Sequence, residues 1–515
     1  MSTASRLISG RVAQWAQIGV TIIAQVVLVP IYLSHWSVEE YGVWLAVQGI
    51  MSVLSMLDMG YQTYMAFEFL RLVRSDTPLL CKSLWSALIV GVIVSLVQIL
   101  IIISIIVFGA MPFLLGVEIK LDLALLNHAA IALLLQGLTW LFLMTLPGLM
   151  VRALAGYGYF SRMAWWSFAY AIISSVAPIT AVVMGGNLLH ASLALTGVSA
   201  IYGLGLYIQL IRLLKLERIK LVKPSLSLGF RNFYLSLPLL GKSLLENVRQ
   251  QGVRLILAPL SGAAGLAAFS TMRTGANVAL QGLNTVIYPL VPDLMRFLHD
   301  SDQPRSDAAF STIWVVVVFI LAPGIVALQI AFEPFFAIWT QGKIPFNPAL
   351  FATLSLGVLV YAVIQPAMAV VMGNNLTKVQ LAIAVLAAVV VLGSLFLLVP
   401  VFGILGAGIA LLLAEIGAAI CYLHHARKWL SENDLKWPAR AFNLALRSLL
   451  ISALTLLALV LWQQFMWIIA GVSALLFVWN GWKFWQVLPV VAIESARNVI
   501  SKLPVLRKFV LRGNV

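Results

Sequence analysis

Charged residues are scarce in this sequence. They make up 10% of its 515 residues, whereas hydrophobic residues make up 62%. Soluble globular proteins average about 25% charged and about 45–50% apolar residues. The mean hydropathy of +1.01 over the whole chain leaves no room for a large water-soluble catalytic domain. The composition therefore predicts a membrane protein.

Cysteines and catalytic motifs are scarce as well. The two cysteines, Cys81 and Cys421, fall in different hydrophobic runs, which excludes a disulfide scaffold and predicts free thiols. The sequence has no Walker A motif, no HExxH, no nucleophile-elbow serine and no Cys/His metal spacing. The adjacent His424 and His425 are more typical of an interfacial helix end than of a ligand pair. These absences favour a protein that is not an enzyme and that carries no cofactor.

Long hydrophobic runs fill the chain. A membrane-spanning helix needs about 20 predominantly apolar residues, and about fourteen runs meet that length. The predicted spans 1 to 14 are 12–33, 41–66, 84–108, 123–146, 163–184, 190–211, 233–257, 265–291, 309–332, 349–372, 379–399, 404–423, 443–462 and 466–488. The sequence thus predicts an all-α polytopic membrane protein.

The net charge of +15 comes mainly from basic residues in alternate connections between the spans. Of the 33 Lys and Arg residues, 27 fall in alternate connections and in the two tails, while the opposite connections hold only Lys120 and Lys343. Because basic loops stay in the cytoplasm, we expect both termini on the cytoplasmic side, and a bacterial inner membrane fits this pattern. Basic residues scattered between hydrophobic runs argue against nucleic-acid binding.

A weak internal repeat indicates two related halves. The sequence from Gln25 to Pro30 resembles the sequence from Arg254 to Pro259: a polar residue, aliphatic residues, then proline. Six spans separate the two copies, so we expect two six-helix lobes related by a pseudo-twofold axis along the membrane normal. The expected domains are the N-lobe 1–214 (spans 1–6), a basic cytoplasmic linker 215–232, the C-lobe 233–425 (spans 7–12), an appended pair of spans 426–490 and a basic cytoplasmic tail 491–515.

Polar stripes follow four of the spans, the first two of each lobe. A polar group facing lipid is costly, so we expect the stripes to face a central cavity. They comprise Gln14, Gln17, Thr21 and Gln25 on span 1; Gln48, Ser52, Ser55 and Gln62, with Asp58 beside them, on span 2; Lys242, Glu246 and Arg249 on span 7; and Arg273, Asn277, Gln281, Asn284 and Tyr288 on span 8.

The C-lobe wall of that cavity carries four cations, Lys242, Arg249, Arg254 and Arg273, against one anion, Glu246. Arginine forks match phosphate oxygens, so Arg249 and Arg273 are the leading candidates for anion binding. Lys242 and Arg254 lie near the span ends, where snorkelling to the membrane surface is the alternative.

Three short stretches in the first 65 residues carry a family resemblance: Pro30-Ile-Tyr-Leu-Ser, Glu39-Glu-Tyr-Gly-Val-Trp and Leu57-Asp-Met-Gly. They resemble the opening of Wzx-type O-antigen and polysaccharide flippases, of the polysaccharide transport family in the multidrug/oligosaccharidyl-lipid/polysaccharide exporter superfamily. The related lipid II flippases also have fourteen helices and membrane-embedded arginines. Arg273 is the nearest positional match, but spans 1 and 2 carry glutamines where those flippases carry arginines.

The resemblance implies flipping of an undecaprenyl-diphosphate-linked oligosaccharide from the cytoplasmic to the periplasmic leaflet, by alternating access through a cationic cavity. A glycan polymerase and a chain-length regulator are the candidate protein partners. We expect Arg249 and Arg273, with Lys242 and Arg254, to bind the diphosphate. The residues expected to meet the sugar are Gln25, Gln48, Asn277, Gln281, Asn284 and Tyr288. Trp44, Tyr61 and Tyr64 offer either stacking faces or ordinary packing.

Three acids near membrane depth, Asp58, Glu246 and Glu415, are candidates for coupling to a proton or sodium gradient. For Asp58 the alternative is a structural cap or kink in span 2. A multidrug or cation antiporter of the related exporter branch is the main rival function. A membrane glycosyltransferase or polymerase is a weaker rival because every outer loop is short, and a non-transporting scaffold is a further alternative.

Overall fold

The computed structural model is helical, and it describes residues 3–117, 123–247 and 253–489. Within these ranges only the backbone is described for residues 3–8, 11, 74–75, 242–243, 246, 279 and 281–293. No strand occurs among the described residues, which confirms the all-α class. The first helices are α1 Thr3–His35, α2 Val38–Ser75, α3 Thr77–Val107, α4 Met111–Leu115, α5 Leu123–Trp140, α6 Leu146–Ala155, α7 Phe160–Val183, α8 Leu188–Leu216 and α9 Leu226–Asn247.

The remaining helices are longer on average and include one with an internal break. They are α10 Val253–His299, α11 Gln303–Val316, α12 Ala322–Trp339, α13 Pro348–Gly373, α14 Thr377–Phe402, α15 Ile404–Glu432, α16 Ala439–Leu461 and α17 Met466–Val487. Two π-helical segments, π1 Leu141–Thr145 and π2 Val317–Leu321, join α5 to α6 and α11 to α12. A short 3₁₀ helix, Gln463–Phe465, precedes α17.

Thirteen helical stretches among the described residues are long and apolar enough to cross a membrane. They match thirteen of the fourteen predicted spans. The exception is span 7, 233–257, which falls across α9 and the start of α10. Residues 248–252, between these two helices, are not among the described residues. Gly262 breaks α10 with φ 74° and ψ 168°, a backbone conformation that favours glycine. The break lies where the sequence predicts the connection between spans 7 and 8.

The chain forms two compact units. Unit 1 comprises Met1–Thr271, Trp339–Pro345 and Val399–Ile404, and unit 2 comprises Met272–Ile338, Phe346–Leu398 and Leu405–Val515. Compact packing and internal repetition are different criteria, so the lobe bounds 1–214 and 233–425, the linker 215–232, the appended pair 426–490 and the tail 491–515 remain predictions.

Unit 1 packs its helices closely around α2. A Cβ added to Gly60 of α2 would lie 2.5 Å from the Cα of Leu240, so α9 passes directly over this glycine. The connection between α8 and α9 is held against α3: Trp85 Nε1 donates to the Lys220 carbonyl (2.9 Å) and the Ser225 amide donates to Ser86 Oγ (2.9 Å). The predicted basic linker is therefore packed onto unit 1 along part of its length.

Unit 2 is built around Trp314 at the end of α11. This side chain is fully buried, and its Nε1 donates to the Val363 carbonyl of α13 at 2.9 Å. The rings of Phe310, Trp437 and Phe442 surround it with centroid separations of 5.6 to 6.3 Å. Aromatic packing of this kind gives unit 2 a predominantly apolar interior. Cys81 and Cys421, one in each unit, are free thiols, as predicted.

Candidate functional site

A buried carboxyl group lies in the interior of unit 1. Asp58 is 0% exposed and sits near the middle of α2, so it does not cap the helix, whereas the alternative of a kink in span 2 stays a prediction. Its Oδ2 accepts hydrogen bonds from Gln62 Nε2, one turn further along α2, and from Thr145 Oγ1 at 2.7 Å. An acid held at this depth by neutral hydrogen-bond donors is costly to keep charged, and such residues mark ion pathways more often than packing.

The π1 segment positions Thr145. In a π-helical turn the backbone bonds to the residue five positions back, which inserts one residue and rotates the following side chains; here the Leu146 amide donates to the Leu141 carbonyl. Thr145 is the last residue of π1 and is fully buried between α2 and α3, where its hydroxyl also bonds Ser95 Oγ (2.9 Å). The irregular backbone thus directs a hydroxyl at the carboxyl group.

Further polar groups surround this pair. Gln98 of α3 donates to the Leu54 carbonyl of α2 at 2.9 Å. Arg152 of α6 interacts electrostatically with Asp58 and donates from Nη1 to the Gly148 carbonyl at 3.1 Å. Gly148 admits this arrangement because an added Cβ would collide with Gln62 Oε1. We name Asp58, Gln62, Ser95, Gln98, Thr145 and Arg152 the N-unit polar cluster.

The indole of Trp140, at the end of α5, adds a polar group to the surroundings of Asp58. Asp58 Oδ1 and the indole Nε1 of Trp140 are both buried, and the indole faces the carboxyl group. The indole N–H is thus a further hydrogen-bond donor beside this carboxyl group.

Sequence reasoning missed four members of the N-unit polar cluster: Ser95, Gln98, Thr145 and Arg152. Ser95, Gln98 and Thr145 are single polar residues inside the apolar runs of spans 3 and 4, and Arg152 falls in the connection after span 4. A polar stripe is recognised from three or more polar residues on one face of one helix, and a π-helical turn disrupts such periodicity.

The predicted polar stripe of span 1 is only partly shielded. Gln14 and Thr21 are exposed, whereas Gln17 and Gln25 are half-buried. On α2 the predicted Gln48 is half-buried, with a buried Nε2 that has no partner among the described residues. Gln25 and Gln48 therefore stay candidates for sugar binding.

Arg254 lies against α2 within unit 1. Its Cβ and Cδ would lie 3.3 and 3.9 Å from a Cβ added to Gly49, and its guanidinium group faces the buried Tyr41. Its Nε is buried without a partner among the described residues. This surrounding is at odds with the alternative in which Arg254 snorkels to the membrane surface.

The predicted stripe on span 8 lies on α10, in unit 2. Arg273 and Asn277 are one turn apart and both half-buried, which is consistent with a shared face. The side chains of Lys242, Glu246, Gln281, Asn284 and Tyr288, and the whole of Arg249, lie outside the described residues. Glu415 is half-buried on α15, also in unit 2.

The aromatic residues near the start of the chain are packed. Trp44 is 6% exposed, with its ring 6.1 Å from those of both Tyr32 and Trp36. Tyr61 is fully buried against the ring of Phe233. The packing alternative therefore holds for Trp44 and Tyr61, while Tyr64 is half-buried.

Comparison with known proteins identifies the fold. No family model matches the sequence, and no curated protein does. Among solved structures, the lipid II flippase MurJ in an inward closed conformation has a TM-score of 0.67 at 13% identity, covering 92% of this chain and 98% of that one.

Two multidrug transporters of the MATE family also share the fold. An inward-facing MATE transporter of the MOP superfamily has a TM-score of 0.57 at 13% identity, covering 84% of this chain and 99% of its own. The Vibrio cholerae transporter VcmN has a TM-score of 0.52 at 16% identity, covering 84% and 98%. The chain thus has the fold of MOP-superfamily transporters.

Proposed function

We propose that this protein is a flippase that moves an undecaprenyl-diphosphate-linked oligosaccharide from the cytoplasmic to the periplasmic leaflet. Such a lipid has a tail that stays in the bilayer, a diphosphate that cannot cross it and a sugar head too polar to enter it. A helical transporter needs to shelter only the last two. The observation that carries the proposal is the fold shared with a lipid II flippase over 92% of the chain.

The charges of α10 favour an anionic substrate. Arg254 and Arg273 lie in apolar helices, and a cation at membrane depth costs about 3 kcal/mol, so each needs a function or a partner. In this proposal they bind the diphosphate together with Lys242 and Arg249. Gln25, Gln48 and Asn277, with Gln281, Asn284 and Tyr288, supply amides and a hydroxyl for the sugar. A glycan polymerase and a chain-length regulator are the proposed partners.

For energy coupling we favour Asp58 over Glu246 and Glu415, and a proton over sodium. The groups facing Asp58 are mostly donors: the amide of Gln62, the hydroxyl of Thr145, the indole of Trp140 and the cation Arg152. Sodium requires several oxygen ligands, as hard cations generally do, and nitrogen donors would repel it. A proton needs only the carboxyl group itself.

Deleting the gene in its native host tests the proposed substrate. The expected result is loss of surface polysaccharide, with undecaprenyl-linked oligosaccharide accumulating on the cytoplasmic face of the inner membrane. The trapped lipid would identify the sugar. Normal surface glycan with normal sidedness of the lipid would contradict the proposal.

Two variants of Arg273 test its role. If the guanidinium group acts as a charge for the diphosphate, Arg273→Ala abolishes complementation of the deletion, whereas Arg273→Lys retains it. The exposed Arg212 offers a matched control, since Arg212→Ala removes an equal charge from α8. Full complementation by Arg273→Ala would remove this residue from the site.

A cation exporter is the second candidate function. The buried Asp58 and the MATE-family neighbours favour it, because an acid inside the membrane can exchange a proton for a cation. Altered drug tolerance of the deletion strain, with normal surface glycan, would support the exporter and exclude the flippase.

A further inference from the structure

A pocket that the proposed function does not use lies at the beginning of α7, within unit 1. It has a volume of about 900 Å³ and opens between the start of α7 and α1. Its lining includes Ser9 of α1 and Tyr159, Ser161, Arg162, Trp165 and Trp166 at the start of α7. This end of α7 adjoins one of the basic connections, which the charge distribution assigns to the cytoplasm.

The pocket combines one cation with hydroxyl and aromatic groups. Arg162 is exposed, and the described residues offer it no acidic partner; its guanidinium carbon lies 5.6 Å from the centroid of the Tyr159 ring. The carboxylate of Glu217 accepts the hydrogen bond of the Tyr159 hydroxyl and, among the described residues, forms no ion pair with Arg162. The guanidinium group is therefore available to an anion.

The aromatic walls are held in place by hydrogen bonds within the lining and to a neighbouring helix. Trp165 donates from Nε1 to Ser9 Oγ at 3.1 Å while 43% of the residue is exposed. Trp166 packs edge-on against Tyr202, whose hydroxyl donates to the Trp166 carbonyl at 2.9 Å. Gly10 lets α1 approach α7 closely, because a Cβ there would lie 2.9 Å from the Phe160 ring. A pocket fixed in this way does not have to be ordered by its ligand.

These groups match the phosphate of a lipid headgroup. Arginine and hydroxyl donors bind phosphate oxygens, and tryptophan and tyrosine side chains prefer the headgroup level of a membrane. A soluble phosphate would gain nothing from the exposed face of Trp165, whereas the glycerol or first isoprene carbons of a lipid can pack on it.

We propose that this pocket binds the phosphate-bearing headgroup of an anionic lipid in the cytoplasmic leaflet, with Arg162 on the phosphate and Trp165 against the first carbons of the tail. The lipid is either a membrane phospholipid or a polyprenyl diphosphate. The proposal concerns binding and does not depend on lipid flipping.

The test uses the full-length protein in phosphatidylcholine vesicles that contain a minor fraction of phosphatidylglycerol with brominated acyl chains, which quench tryptophan fluorescence. The contribution of Trp165 is the difference between the wild type and Trp165→Phe. We expect brominated phosphatidylglycerol to quench Trp165 more strongly than brominated phosphatidylcholine does. Arg162→Gln should weaken this preference about fivefold, and Arg162→Lys should retain most of it.

The matched control is Arg212→Gln, which removes an exposed charge from the same side of unit 1 outside the pocket. Equal quenching by the two brominated lipids, or an equal loss of preference in Arg162→Gln and Arg212→Gln, would overturn the proposal, since only general surface charge would then be involved. Competition identifies the source of the phosphate. Displacement by undecaprenyl diphosphate at lower mole fractions than by phosphatidylglycerol indicates a polyprenyl lipid, and the reverse indicates a phospholipid.

Discussion

The two π-helical segments in the described part of the chain lie in opposite surroundings. In unit 1, π1 ends in Thr145, whose hydroxyl reaches the carboxyl group of Asp58 and the hydroxyl of Ser95. In unit 2, π2 begins three residues after Trp314 and contributes the buried apolar side chains of Val317 and Val318. The same backbone irregularity therefore serves a polar site in one unit and apolar packing in the other.

This contrast indicates that apolar packing in unit 2 contributes most to stability, whereas the buried polar groups of unit 1 serve function. Buried polar groups specify geometry but gain little net free energy, because each exchanges bonds with water for bonds with protein. Apolar packing contributes more per residue and responds strongly to lost volume. We therefore expect unit 2 to be sensitive to truncation, and the N-unit polar cluster to be sensitive to changes of charge.

The largest expected effect on stability comes from the core of unit 2. Trp314→Ala leaves a cavity between α11 and α13 and removes the bond to the Val363 carbonyl, so the free energy of unfolding should fall by about 3–5 kcal/mol. Thermal unfolding of the purified protein in detergent measures the change. Trp467→Ala is the matched control, because Trp467 is 76% exposed. Equal shifts in both variants would contradict an apolar core centred on Trp314.

A smaller loss is expected at π1. Thr145→Val keeps the shape of the side chain but removes the hydroxyl that bonds both Asp58 and Ser95, which should cost about 1–3 kcal/mol. Thr312→Val is the control in unit 2, since the Thr312 hydroxyl bonds only the Ala308 carbonyl of its own helix (2.8 Å) and its loss should cost about 0.5 kcal/mol. The same thermal measurement compares them. An equal loss of unfolding free energy in Thr312→Val and Thr145→Val would contradict a special contribution of the Thr145 hydroxyl to stability.

Asp58→Asn separates stability from coupling. The amide keeps the shape and can still accept the bond from Thr145, so the free energy of unfolding should change by no more than about 1 kcal/mol. Gradient-driven transport in vesicles should be lost, because an amide side chain does not ionise and therefore cannot carry a proton. The exposed Asp434→Asn serves as control. Unchanged pH-gradient dependence in Asp58→Asn would exclude Asp58 as the coupling group.

The smallest expected effect lies outside the spans, at Tyr159. The hydrogen bond to Glu217 raises the pKa of the Tyr159 hydroxyl. The stabilisation is fully present below about pH 10, the ordinary pKa of tyrosine, and is lost as the pH rises above it. Tyr159→Phe should therefore show a shallower loss of stability above about pH 10 than the wild type, while Tyr234→Phe, at a 72% exposed site, follows the wild type. Parallel curves for all three proteins would contradict a contribution from this bond.

Most of the helices could be predicted from hydrophobic runs alone. Each span is long enough that a shift of a few residues at its ends does not change its identity, so thirteen of the fourteen predicted spans have a counterpart in the structure. Span 7, 233–257, is not tested, because residues 248–252 lie outside the part of the chain that the structure describes. The break at Gly262 lies in the connection predicted between spans 7 and 8, 258–264.

The candidate site was predicted less completely. Gln62 was found as a member of the polar stripe on span 2, and Asp58 was found as an acid near membrane depth beside that stripe. Ser95, Thr145 and Arg152 were not, because they come from three other helical segments and meet Asp58 only after those segments pack. Periodicity along one helix carries no information about which neighbour supplies the partner.

The sequence by itself determined that this protein is helical, rich in membrane-spanning segments and basic on alternate loops, because hydrophobic length and charge act locally and add along the chain. Only the tertiary structure decided which polar side chains meet. Contacts between Asp58 and Thr145, or between Trp165 and Ser9, join residues 87 and 156 positions apart. Such pairs form only when the helices pack against one another, and a one-residue insertion such as π1 changes which side chain faces the partner. Both depend on contacts throughout each unit.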